Sequence, residues 1–232
     1  MTPDGGLAGS FRRPAIVHDW LTTPGGSEKV LLELLDMLPG ADVFTSVYDA
    51  ERWAGPLRGR TVHTSFLQRV PGALKHYPKL LPLMNAAFET FDLSGYDLVV
   101  SSSHSCAKNV LTGSDTLHVC YCHTPMRHAW EPRHLAGELS PREAVAARVL
   151  LPRLRRDDLA GASRPDVFVA NSNHVAGRIR KHYRRDAVVV HPPVDVERHL
   201  YRPRTDGDYY LVLGRVVPYK KVDLAVGACA TL

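Results

Sequence analysis

The sequence predicts an α/β fold in which a parallel sheet carries helices on both faces. Three observations carry that prediction. Short apolar runs of strand length recur along the chain, segments with helical apolar spacing separate most of them, and Gly or Pro marks many of the joins. The 232 residues are 44% hydrophobic and 23% charged, ordinary for a globular protein with a core, and apolar periodicity along nearly the whole chain excludes disorder for most of it. The longest apolar stretches reach about ten residues, roughly half of what a bilayer span needs.

Residues 15–18 form the first apolar run, after Pro14. A loop ending in Gly25-Gly26-Ser27-Glu28 leads into a helix over 30–38, whose Val30, Leu31, Leu34, Leu35 and Leu38 recur at helical spacing before Pro39-Gly40 stops it. Strands are expected over 42–47 and 61–63. A helix is expected over 78–91, with Pro82 near its first turn, where Pro is tolerated. Residues 96–101 read as a buried strand and 116–122 as an alternating one. Ser140, Pro141 and Glu143 read as N-cap, first helical position and first-turn acid of a helix running to about 162. Then come a strand over 166–170, a helix over 172–183, a strand over 187–190 and the link His191-Pro192-Pro193-Val194-Asp195.

After a polar linker over 202–208, a strand is expected over 209–213, a loop over 214–220 and a helix over 221–232. One βα unit cannot cover its own apolar surface, and each large side chain left wet forfeits roughly 1.5–3 kcal/mol. The expected organisation is therefore a loose tail over 1–13, a first domain over 14–205, and over 206–232 the start of a second domain whose remainder is absent. The alternative is that the last unit docks on an edge of the first sheet.

Four cysteines are too few for a disulfide scaffold, and residues 1–13 lack the apolar stretch of a leader, so a reducing cytoplasm is the expected compartment. The net charge is +5, and 22 of the 29 basic residues are Arg. That usage fits phosphate or anionic-surface binding, or genome composition. Basic runs occur at Arg142, Arg148, Arg153, Arg155 and Arg156, and at Arg178, Arg180, Lys181, Arg184 and Arg185. Near the apolar 80–91 segment they read as a peripheral contact with an anionic bilayer, or as solvated faces. No nucleic-acid module is present, and aromatics do not interleave with the basic residues.

Several strand-end loops could carry chemistry. Gly25 and Gly26 permit close backbone approach to a ligand at a helix start, while Glu28 reads either as a contact or as a helix-start acid. The segment Cys122-His123-Thr124-Pro125-Met126-Arg127 follows a buried strand, where ligands of open α/β sheets bind. Ser101-Ser102-Ser103-His104 is another strand-end loop, without a G-x-S-x-G elbow. Arg215, Lys220 and Lys221 could converge on a diphosphate, or form a solvated basic loop. Cys120, Cys122 and His123 lack the further ligands that a zinc site needs, so no metal is expected.

In this order, Gly25-Gly-Ser-Glu28, Ser101-Ser-Ser-His104, Cys122-His-Thr-Pro-Met-Arg127, Asn171-Ser-Asn-His-Val-Ala176, Pro192-Pro-Val-Asp195 and Gly214-Arg-Val-Val-Pro-Tyr-Lys-Lys221 resemble glycosyltransferase family 4, in particular its bacterial mannosyltransferases. The resemblance implies a retaining enzyme of GT-B fold, built from two Rossmann-like domains across a cleft. This chain would supply the acceptor-side domain and the start of the nucleotide-sugar domain. The resemblance implies that Gly25 and Gly26 lie against the donor, His123 contacts the transferred sugar at the reacting centre, and Arg215 and Lys220 hold the donor diphosphate. Lys221 stands where many relatives carry Gly. Glu28, Ser103 and Arg127 are the further candidate substrate contacts. The implied partners are a nucleotide-sugar donor and a lipid-linked or polysaccharide acceptor, with no cofactor and no nucleic acid. The family's paired-glutamate motif lies far along the second domain and is not among these 232 residues, so little turnover is expected of the chain alone. The alternative function is a non-catalytic acceptor-binding or partner-docking module.

Overall fold

A computed structural model describes residues 10–131, 140–196, 207, 209–214 and 221–230. Two compact units divide between Pro193 and Val194. The first holds seven strands: β1 (Pro14–His18), β2 (Asp42–Thr45), β3 (Val62–Thr64), β4 (Leu98–Ser103), β5 (Leu117–Cys122), β6 (Val167–Ala170) and β7 (Val188–Val189). They form one parallel sheet in the order β3-β2-β1-β4-β5-β6-β7. The helices are α1 (Gly26–Met37), α2 (Ala50–Trp53), α3 (Ala73–His76), α4 (Leu81–Glu89), α5 (Arg127–Trp130), α6 (Pro141–Gly161) and α7 (Asn173–Tyr183). This is the α/β, Rossmann-like class that the sequence predicts.

Strand period 2 explains the two-sided core. In β1, Ala15 and Val17 join one apolar cluster with Phe44, Met84, Phe88 and Val99, while Ile16 joins the other with Leu31, Leu35, Val43 and Trp53. All five residues of β1 are buried, as a central strand covered on both faces requires. The helices hold their places by local chemistry. Ser172 caps α7, its hydroxyl accepting from the Val175 amide at 3.3 Å. Ser172→Ala is expected to cost about 1 kcal/mol of unfolding free energy, read as a lower urea midpoint at unchanged slope.

Three elements differ from expectation. The strand expected over 96–101 runs Leu98–Ser103, so the serines lie within β4 rather than in a loop after it. Partners make this tolerable: Ser101 Oγ lies 2.9 Å from His118 Nε2, and Ser102 Oγ bonds two further imidazoles. The helix expected over 78–91 is a 3₁₀ turn over Tyr77–Leu80 followed by α4. In the second unit, Tyr209, Leu211 and Leu213 are exposed coil rather than strand. An extended segment needs a neighbour for its N–H and C=O groups, and no strand pairs with this one among the described residues. The described helix of this unit is α8 (Val222–Cys229), with Leu224 and Val226 exposed.

Candidate active site

The strand order reverses direction between β1 and β4, so the carboxyl ends of β1, β4 and β5 frame the crevice where such sheets bind ligands. Register brings His18 opposite Ser102, Ser102 opposite Tyr121, and Ser103 opposite Cys122. His123 follows directly. Its Nε2 lies 2.9 Å from Ser102 Oγ, and Ser102 Oγ lies 3.1 Å from His18 Nδ1. His18 Nε2 faces Glu28 Oε1 at 3.6 Å. A polar chain therefore runs from the first turn of α1 through two strand ends to His123.

Asp19, the residue after β1, is fully buried and organises the neighbouring loop. Its Oδ2 accepts from the His104 amide at 2.6 Å and the Ser105 amide at 3.0 Å; its Oδ1 accepts from the Cys106 amide at 2.6 Å and the Ala107 amide at 2.7 Å. The ring of His104 adds an ion pair, Nδ1 to Oδ2, at 2.9 Å. Burial alone would raise the carboxyl pKa of Asp19, but the His104 charge and hydrogen bonds outweigh it and hold the group well below the carboxylate range. Burial would lower the His104 pKa, yet Asp19 leaves it raised. The ring of His104 packs edge-on to Trp20 with centroids 4.5 Å apart, and Trp20 lies 5.0 Å from Tyr77.

His123 is held differently. Burial first, then the neighbouring charge of His104, push its pKa down to about 3. The ring is therefore neutral at physiological pH, suited to a hydrogen bond with a neutral ligand rather than to an ion pair. An NMR titration is expected to show no His123 step between neutral pH and about pH 4. A midpoint near the ordinary value of ~6.5 contradicts the geometry.

The sequence-derived candidates fall into groups. His123 and Glu28 share the polar chain just described. Glu28 is buried and turned inward, with its Oε2 accepting from Ser27 Oγ at 2.9 Å. Burial would raise its pKa, but the facing His18 imidazole and the Ser27 hydroxyl leave it lowered. Gly25 caps α1, and a Cβ there would sit 2.9 Å from Glu28 Oε2, so the glycine leaves room for that carboxylate. Around Gly26 no atom lies within 4 Å of a built Cβ. Ser103 is buried and its carbonyl accepts from the His123 amide at 2.8 Å; the hydroxyl bonded to His123 belongs to Ser102. Arg127 is exposed at the start of α5. Arg215 and Lys220 lie outside the described residues. Sequence reasoning missed His18 and Asp19 as site residues, and from its serine segment it singled out Ser103 where the structure brings Ser102 to His123. Asp19 directly after a buried strand was the available signal. Among the described residues no group of three His, Cys, Asp or Glu is arranged to hold a metal ion.

Over residues 24–198 the chain matches the family described as Glycosyltransferase Family 4. No curated protein matches it significantly. Among solved structures it is similar to HepE of Anabaena in complex with UDP-glucose, at 16% identity and TM-score 0.48, covering 82% of this chain and 46% of that one. It is also similar to the wall teichoic acid polymerase TagF, at 10% identity and TM-score 0.36, covering 76% of this chain and 37% of the other. The chain thus spans less than half the length of either.

Proposed function

The chain belongs to glycosyltransferase family 4, and from that premise we propose that it supplies the acceptor-side lobe for transfer of a hexose from a nucleotide-sugar to a lipid-linked or polysaccharide acceptor, with retention at the anomeric carbon. Mannose is the sugar to which the sequence resemblance points. The observation that carries the reading is His123 at the carboxyl end of β5, braced by Ser102 at the switch point of the sheet and linked through Ser102, His18 and Glu28 to the Gly25-Gly26 turn. A neutral ring there suits the hydroxyls of a sugar. In this reading the anomeric carbon leaves the diphosphate oxygen, bonds to the acceptor oxygen on the same face, and the acceptor proton passes to the departing phosphate. Arg215 and Lys220 are proposed to hold that diphosphate.

A lipid-borne acceptor is supported by charge and exposure. From Arg52 through Phe88, both included, the chain carries six Lys or Arg and no Asp or Glu. There Phe66, Val70, Leu74 and Leu83 are exposed among Arg69, Lys75 and Lys79. Apolar side chains in a cationic frame suit an anionic bilayer face at the cytoplasmic side. This surface adjoins the site through Tyr77, which meets Trp20, which in turn meets His104. Two basic residues of the 178–185 run serve the fold. Arg178 pairs with Glu131 at 3.0 Å, and the Arg185 guanidinium donates to the Ala162, Pro165 and Asp166 carbonyls. Among the described residues no helix is long and apolar enough to cross a membrane.

Titrating the purified chain with a nucleotide-sugar and with a lipid-linked saccharide in anionic vesicles tests the proposal. Saturable acceptor binding, weaker on neutral vesicles, with little turnover by the chain alone, is the expected result. Failure to bind any saccharide acceptor contradicts it.

A further inference from the structure

We infer that Glu28 and His18 are positioning residues that fix the tautomer of His123, so that its ring offers an unprotonated Nδ1 to a substrate hydroxyl. The tautomer follows from the hydrogen bonds of Ser102 and from the Glu28 carboxylate that faces His18; the identity of the ligand rests on the proposed sugar transfer.

The argument is a count of protons. A serine hydroxyl has one hydrogen, so between two imidazole nitrogens it donates to one and accepts from the other. Ser102 Oγ stands in that position, 3.1 Å from His18 Nδ1 and 2.9 Å from His123 Nε2. The direction of the chain is set at its far end. His18 Nε2 is buried, has no hydrogen-bond partner within normal distance, and faces the Glu28 carboxylate at 3.6 Å. A lone pair on that nitrogen would oppose a buried anion, whereas an N–H is attracted to it. His18 therefore carries its proton on Nε2, and its Nδ1 accepts from Ser102. The Ser102 oxygen is then left to accept from His123 Nε2–H, and the remaining lone pair of His123 is on Nδ1. Among the described residues nothing is hydrogen-bonded to that nitrogen, and His123 is only half-buried.

A second proton on His18 would reverse every bond in the chain. The other carboxylate nearby, Asp19, is already engaged by the His104 ring and four amides, and the His104 ring lies 6.4 Å from that of His18. Asp19 and Glu28 are thus divided between two histidines, one each.

The consequence is a choice of ligand. A neutral ring nitrogen with a lone pair accepts from a hydroxyl and repels a phosphate oxygen. His123 would receive a sugar hydroxyl, leaving the charged part of a donor to other groups.

Two-bond ¹H–¹⁵N correlation spectra of the intact chain read the ring nitrogens directly. The expected spectrum shows His123 and His18 both protonated on Nε2. Ser102→Ala should convert His123 to a mixture of tautomers while His18 keeps its proton on Nε2. Glu28→Gln should weaken the preference at both rings, although position 28 does not touch His123. A wild-type His123 protonated on Nδ1, or ring nitrogens unmoved by Ser102→Ala, overturns the inference. Adding a mannoside to the wild-type chain separates this from the functional reading. With the tautomers as expected but Nδ1 unmoved by saccharide, the positioning chain stands and the sugar assignment falls.

Discussion

Asp19→Ala is expected to destabilise the first unit by on the order of 3–5 kcal/mol, enough to leave a domain of ordinary stability partly unfolded at room temperature. The reason is the number of donors that it leaves behind. Four amides, from His104 to Ala107, and the His104 ring all converge on one buried carboxylate. Each buried donor deprived of its acceptor costs about 1–3 kcal/mol, partly relieved by relaxation of the loop or entry of water. Asp19→Asn should retain part of the stability, since one oxygen can still accept, while its amide nitrogen meets N–H groups and cannot. The same pair gives the pH dependence. The folded pKa of Asp19 is lowered, so its contribution is present above the unfolded carboxylate value of ~3.9 and is lost as pH falls through the folded value. The folded pKa of His104 is raised, so its contribution is present below ~6.5 and is lost as pH rises through the folded value. These are two views of one interaction and count once. Stability should therefore plateau between the two limits and fall on both sides, and the plateau should flatten in Asp19→Asn. Urea unfolding across pH measures both.

Lys108→Met is expected to cost a similar 3–5 kcal/mol, by stranding the buried Asp158 carboxylate. Lys108 and Asp158 are both inaccessible to solvent and directly paired. Lys108 also donates to the Ser105 carbonyl at 2.8 Å, while Asp158 accepts from Trp130 Nε1 at 2.6 Å and from Tyr183 OH at 2.9 Å. Four elements meet at this point: the loop after β4, α5, α6 and α7. Burial would lower the Lys108 pKa, but Asp158 outweighs it and leaves it raised, so the lysine stays charged. The double variant Lys108→Met/Asp158→Asn should lose clearly less than the sum of the single losses. The Asn oxygen still serves Trp130 and Tyr183, and no unpaired charge remains. Additive losses in a double-mutant cycle would show that the two side chains do not interact.

The sheet was legible because buried parallel strands are short apolar runs and their helices carry apolar residues at helical spacing, as at 15–18 and 30–38. Boundaries failed where a polar residue has a distant partner. Ser101 and Ser102 look like loop residues until His118, His18 and His123 are seen beside them. Tyr96 looks like strand but precedes β4, donating its hydroxyl to Asp42 at 2.6 Å. The expected strand at Tyr209–Leu213 failed for a related reason, since pattern shows propensity and pairing needs a neighbour. His123 was legible as a polar residue at a strand end. Asp19 and Lys108 were not, because their partners lie 85–88 and 50 positions away along the chain.

Chemical-shift mapping of the chain with a saccharide acceptor and a nucleotide-sugar is the most direct check on where chemistry occurs. Perturbations should gather at the carboxyl ends of β1, β4 and β5, on His18, Ser102, His123 and Glu28. A crevice of about 480 Å³ lined by Arg13, Phe44, His63, Phe91 and Tyr96 offers the competing location. Shifts confined to that crevice, with His123 unmoved, would contradict a sugar-handling site at the strand ends.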